Sequence, residues 1–181
     1  PDTLAIDPRL ASRMRAAKSA RYMETAVWPA NKRMTRAYRE EIISQVHEAV
    51  EDARELVPDG PRTVGCVLNR VDSAVQVEKA LGKEGLNCRL WVGRMRPWDL
   101  KRSRQDEPGL FETAGAQGVD VLVATQTIEV GVDLDLVHMV TELASGSALA
   151  QRAGRVNRLG LRERAWFTVV GPPREAPLSK D

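Results

Sequence analysis

A chain of 181 residues, 43% of them hydrophobic, is long enough to bury one core of its own. Charged residues at 29% and only ten prolines exclude wholesale disorder, while a net charge of +2 points to no partner by itself. No apolar run reaches the roughly 18 residues of a membrane span, and Pro1–Arg15 mixes polar and charged residues unlike a signal peptide. The two cysteines, Cys66 and Cys88, each sit inside an apolar run. That pattern is neither a disulfide framework nor a zinc site, so both read as small core residues in a reducing cytoplasm. The chain does not open on methionine, and it is expected to be a fragment of a larger protein.

Residues 1–19 carry two prolines and no clear period, and read as a linker or arm. Ala20–Trp28 alternates loosely and is a candidate strand, closed by Pro29. Asn31 is placed to cap a helix in which Met34, Tyr38, Ile42, Val46, Ala49 or Val50, Ala53 and Val57 recur every three or four residues. Pro58-Asp59-Gly60-Pro61 ends it. Thr63–Leu68 is a short apolar run of the buried, parallel type. Asn69 can cap the next helix, whose core face is Val71, Ala74, Val75, Val77 and Leu81 and which Gly82 and Gly85 close. Cys88–Val92 is a third strand. Gly93–Gly118 is a long basic connection with a helix expected near Leu110–Ala116. The densest charge, Arg94 to Arg104 (RMRPWDLKRSR), falls in it. Val119–Ala124, Val137–Thr141 and Ala165–Val170 are further strands. Residues 172–181 read as a tail, which leaves 20–171 as one domain.

Strands alternating with helices mean βαβ units: an α/β domain with a parallel sheet and helices on both faces. Ligands of such sheets sit at the carboxyl ends of the strands. This rule puts Asn69, the loop at Gly93 and the turn at Thr125 on one edge, and the segment carrying Gln151 is expected to join them. A helix there would present Gln151, Arg152, Arg155 and Arg158 on one polar face, since side chains three and four apart are neighbours. Forked, permanently charged guanidinium groups in a row suit phosphate oxygens. The alternative is a solvated, salt-bridged helix face. The small residues Ala148, Ala150, Ala153 and Gly154 favour the phosphate reading, because they let another surface approach closely.

Several chemistries have no residues to carry them. No G-x-x-x-x-G-K-[S/T] occurs, so the sequence contains no phosphate-cradling loop of that type. Asp106-Glu107 precedes Pro108 in a charged stretch rather than following an apolar strand, and does not read as a magnesium-holding pair. His47 and His138 are far apart with no ligand cluster around either, and His138, inside an apolar strand, reads as structural.

The segment QRAGRVNR resembles motif VI of superfamily two helicases, whose pattern is Q/H-R-x-G-R-x-x-R. VATQTIEVGVDLD before it resembles their motif V. NRVDSA, following TVGCVL, resembles motif IV, and GRMRPWDL resembles the segment just after it. The order matches the second RecA-like lobe of these motors. The combination of TQ-x-IEVGVD, ELA-x-x-x-x-L-x-QRAGRVNR and LNRV is similar to the CRISPR-associated helicase of type I interference systems. The resemblance is good from Arg62 to Gly160 and thin before that.

That resemblance implies roles. Arg155 and Arg158 would be arginine fingers, with Gln151 near the γ-phosphate. Gly131, Asp133 and Arg152 would line the nucleotide cleft. Asn69, Arg70, Arg94, Arg96, Thr125 and Gln126 would lie along a single DNA strand. ATP and Mg2+ would be held mainly by a first lobe that the sequence does not contain, no metal would be intrinsic to this chain, and the partners would be single-stranded DNA, that first lobe and the CRISPR surveillance complex Cascade. Relatives often carry valine where Thr127 stands. The basic segment could track phosphates, with Trp91 or Trp98 stacking a base, and such binding would be sequence-tolerant and salt-dependent. Two alternatives use the same residues: a non-enzymatic nucleic-acid-binding module, and the same lobe from a repair or restriction helicase.

Overall fold

A computed structural model describes residues 18–29, 33–93, 109–110, 112, 115–129 and 133–173. Six strands form one sheet in the order β1-β6-β5-β2-β4-β3: β1 (Ser19–Glu24), β2 (Val64–Val67), β3 (Cys88–Trp91), β4 (Val121–Ala124), β5 (Met139–Glu142) and β6 (Trp166–Gly171). Every pairing is parallel. Helices α1 (Arg36–Leu56), α2 (Val71–Lys83) and α3 (Gly146–Ala153) connect them, with a 3-10 turn at Gln126–Ile128.

The central strands β2, β4 and β5 are buried at all four positions, as a parallel sheet covered on both faces requires. Alternation along each strand sorts the side chains. Val64, Cys66, Val121, Val123 and Val140 face one core with Tyr38, Ile42 and Val46 of α1 and Ala74, Val77 and Leu81 of α2. Val67, Leu122, Ala124, Met139 and Phe167 face the other, where Leu149 and Ala153 of α3 pack with Ile128, Leu134 and Leu136. The expected α/β architecture, with helices on both faces, is therefore present.

Local signals account for the element ends and for four departures from expectation. First, α1 is capped by Thr35, whose hydroxyl accepts from Tyr38 N at 3.1 Å; Asn31 lies outside the described residues. Second, Asn69 does not cap α2. Arg70 occupies the N-cap position without a side-chain cap bond, and Asp72 supplies the negative charge of the first turn. Third, Leu110–Ala116 is not a helix at its described positions. Glu112 N donates to Gly109 O and Gly115 N to Glu112 O, with both glycines at positive φ, so the chain turns there. Fourth, β1 ends at Glu24 rather than reaching Trp28, because Thr25–Val27 turn away after Thr25 N bonds Gly171 O. Cys66 is a core residue as expected, and Cys88, partly buried, packs against that core. Burial pushes both thiols up, Cys88 to about 12, which leaves them protonated and unreactive.

His138 is structural, as its apolar surroundings suggested. Its Nδ1 accepts the backbone N–H of Trp166, the first residue of β6, at 3.0 Å. Its Nε2 lies 2.7 Å from Asp52 Oδ2, close but not aligned as a hydrogen bond. Arg164, Arg21 and Glu48 complete the charged surroundings. Burial outweighs the Asp52 carboxylate and lowers the histidine's pKa below its ordinary value. The unfolded chain therefore takes up this proton at higher pH than the folded one. The sign follows: the stability tied to His138 is intact above about pH 6.5 and is lost as pH falls from there toward the folded pKa. On going from about pH 7.5 to about pH 5.5, wild type should lose more melting temperature than His138→Gln, which cannot take up the proton. Equal losses would assign the acid sensitivity to another group.

Candidate functional site

Because all six strands are parallel, their carboxyl ends meet at one edge, and the residues following them share it. Asn69 follows β2, Thr125 and Gln126 follow β4, and Glu142 ends β5. Asn69, Gln126 and Glu142 join one hydrogen-bonded cluster. Asn69 N donates to Glu142 Oε2 at 2.6 Å, and its amide donates to Leu143 O at 2.9 Å. Gln126, exposed, donates to Asn69 O at 3.1 Å. Thr125 is only 3% exposed, with its N–H on Trp91 O. Arg70 points outward and pairs with Asp72 at 3.0 Å. Thr127, the polar departure from the valine of relatives, is satisfied by donating to Trp91 O at 3.0 Å.

The arginines do not share a helix face, contrary to the spacing argument. α3 ends at Ala153. Lys18 Nζ donates to the Ala153 carbonyl, Gly154 follows, Val156 pairs with Leu136 as a parallel bridge, and Asn157 adopts φ 42°. Arg152, still in the helix, turns inward. It is 1% exposed and donates to Thr141 Oγ1 at 2.8 Å, to Glu129 Oε1 at 2.9 Å and to Asn69 Oδ1 at 3.3 Å. Gln151, the residue before it, stays exposed. Arg155 and Arg158 lie past the helix, against residues 128, 129 and 133.

Arg155 is half-buried and donates to the carbonyls of Ile128 and Glu129, at 3.1 and 2.7 Å. Burial, then the nearby Arg158 charge, lowers its pKa, but a guanidinium stays charged at neutral pH. Arg158 pairs with Asp133 at 2.8 Å, and its backbone N–H donates to Asp135 Oδ1 at 2.5 Å. Asp135 also holds Arg162 at 2.8 Å. All three arginines of residues 152–158 thus bind residues 128–135, Arg155 through backbone carbonyls and Arg152 and Arg158 through carboxylates. Gly131, Arg94 and Arg96 lie outside the described residues.

The family profile for CRISPR-associated nuclease/helicase Cas3, C-terminal, matches residues 60–160, and so spans β2 through the arginine segment. The chain belongs to this family. A Cas3 relative from Myxococcus xanthus is 34% identical over 122 residues, which cover 64% of this chain and 16% of that protein. The chain therefore spans about a sixth of that relative's length. Among solved structures, T. fusca Cas3 with AMPPNP superposes with a TM-score of 0.65 at 20% identity, over 90% of this chain and 19% of that one. A CRISPR RNA-guided surveillance complex, pre-nicking, gives 0.64 at 22% identity, over 90% and 20%. The C-terminal domain of the DEAD-box protein Dbp5 gives 0.59 at 16% identity and is covered to 79%. These likenesses show a shared fold, that of the second RecA-like lobe. In the Cas3-type lobe the resembling motifs take defined places: motif IV after β2, motif V after β4, and motif VI at the end of α3 and in the turn beyond it.

Two acids of this Cas3-type lobe had no role in the sequence reading. Glu129, within the segment that resembles motif V, is the partner that draws Arg152 inward. Glu142 is 7% exposed, and burial raises its pKa against the pull of the Asn69 N–H and Arg152. Its signal was present in the sequence: an acid closing an otherwise apolar strand, MVTE, is costly unless partnered.

Proposed function

We propose that this chain is the second motor lobe of an ATP-dependent, single-strand-translocating DNA helicase acting in CRISPR interference. Its task is to supply Arg155 and Arg158 to ATP, which with Mg2+ is held mainly by a first lobe. The observation that carries the reading is the state of those two arginines. They are charged, only partly buried, and held by two carbonyls and one carboxylate that is 69% exposed. Such acceptors exchange readily for phosphate oxygens, which bind guanidinium more strongly than neutral carbonyls do. T. fusca Cas3 is similar in its complexes with AMPPNP, ADP and ATP, and this supports nucleotide binding by the intact protein.

Bound ATP would supply the phosphoryl group, and the chain's residues would position and neutralise it. Arg155 and Arg158 take γ-phosphate oxygens as the lobes close, and Arg158 leaves Asp133 to do so. Gln151, exposed one turn before Arg155, hydrogen-bonds a phosphate oxygen or the attacking water. Asp133, once free of Arg158, accepts from a ribose hydroxyl. Gln126 and Arg70 face the DNA strand from the other side of the lobe, and reopening shifts the lobe along it. Arg152 holds Glu129 in place and does not touch the nucleotide. The pre-nicking surveillance complex among the similar structures supports Cascade as the assembly that recruits the motor.

The test is ATP turnover, with and without single-stranded DNA, for this chain alone and for the intact protein with both lobes. The chain alone should be silent, and the intact protein should be stimulated by DNA. Silence of both, with DNA binding retained by the lobe, would favour a non-enzymatic binding module.

A further inference from the structure

The strand-contact role implied for Asn69 needs its donors to be available to phosphate, and here they are committed. All four of its polar groups are engaged within the lobe: N–H to Glu142, amide to Leu143 O, carbonyl to Gln126, and Oδ1 to Arg152. The N–H lies against a buried carboxylate that would repel a phosphate, and Leu143 O takes one of the two amide hydrogens. The same residue links two parts of the site. Gln126, exposed at the strand ends, hangs from its carbonyl. Arg152 binds its side chain while also gripping Glu129, whose backbone carbonyl holds Arg155. Thr141 locks the far side by accepting from Arg152 and donating to Val67 O at 3.2 Å.

We infer that Asn69, anchored by Glu142, is a positioning residue that ties Gln126 on the strand side to Arg152 and Arg155 on the nucleotide side, and does not itself touch DNA. This rests on the motor-lobe reading above. The coupling it predicts is physical: movement of the Gln126 turn is transmitted through one residue bonded to both sides, to the segment that carries Arg155.

The experiment uses the intact protein and two variants, Asn69→Ala and the milder Glu142→Gln, which keeps the shape and one acceptor oxygen. ATP turnover at saturating single-stranded DNA should fall about tenfold in Asn69→Ala and less in Glu142→Gln, while the Kd for DNA changes by less than about threefold. Hydrogen exchange should quicken together at residues 125–129 and 152–156 in both variants. A DNA Kd raised about tenfold, with wild-type turnover regained at saturating DNA, would show instead that Asn69 contacts the strand. Unchanged turnover, or exchange that quickens in only one segment, overturns the tie. If wild type itself shows no DNA-stimulated turnover, the motor reading fails, and exchange alone then decides whether Asn69 joins the two segments.

Discussion

Arg155→Ala in the intact protein is expected to lower DNA-stimulated ATP turnover by about three orders of magnitude or more, the range that a guanidinium on the transferring phosphoryl group contributes. The fold should survive. Arg155 is half-buried and loses only two bonds to carbonyls, those of Ile128 and Glu129. At about 1 kcal/mol each, that loss is roughly 2 kcal/mol, or about 4–8 °C of melting temperature for a domain of this size. Arg155→Lys should not restore turnover, because an ammonium cannot fork across two phosphate oxygens. Phosphate release and a thermal melt on the same preparations check both halves. Near-normal turnover in the alanine variant would remove Arg155 from the chemistry and leave it as a tether for the motif V turn.

Arg152→Ala is expected to act on stability first. The side chain is 1% exposed, and it pairs with a Glu129 side chain that is 14% exposed. Deleting it leaves that carboxylate without its counter-charge, Thr141 and Asn69 without a donor, and a cavity the size of the guanidinium stem. Breaking a buried pair from one side costs about 3–5 kcal/mol, or about 6–20 °C of melting temperature. Arg152→Met, which refills the volume without the charge, should recover part of the loss and no more, since Glu129 stays unpaired. If Arg152→Ala instead melts like wild type and only weakens nucleotide binding, the cleft-lining role implied by its motif is right, and the inward geometry is not the working one.

The two variants separate arginines that the sequence makes look alike. Spacing alone puts residues 152, 155 and 158 on one helical stripe, and a stripe implies a shared task. That reasoning assumes the helix continues. It stops at Ala153 because Leu136, far back in the chain, captures Val156 in a parallel bridge and Asn157 takes the left-handed conformation. Asn69 shows the same limit. It stands where a helix cap is common, but its polar groups go to Glu142, Leu143, Gln126 and Arg152, all of them between 57 and 83 positions away. No local signal outweighs partners that only the folded chain brings close.

The sequence by itself determined the sheet and the family. Short apolar runs at β2, β4 and β5, each bounded by turn-formers and alternating with periodic helices, leave a parallel sheet with two covered faces as the way to bury them. QRAGRVNR and IEVGVD mark the lobe because their chemistry is written in contiguous residues. The tertiary structure alone decided which arginine is a strut and which two are held at partial exposure. That choice depends on where α3 ends and on where Glu129, Thr141 and Asp133 lie in space. Charge complementarity across twenty or more residues is a property of the packed lobe, and periodicity along the chain carries no information about it.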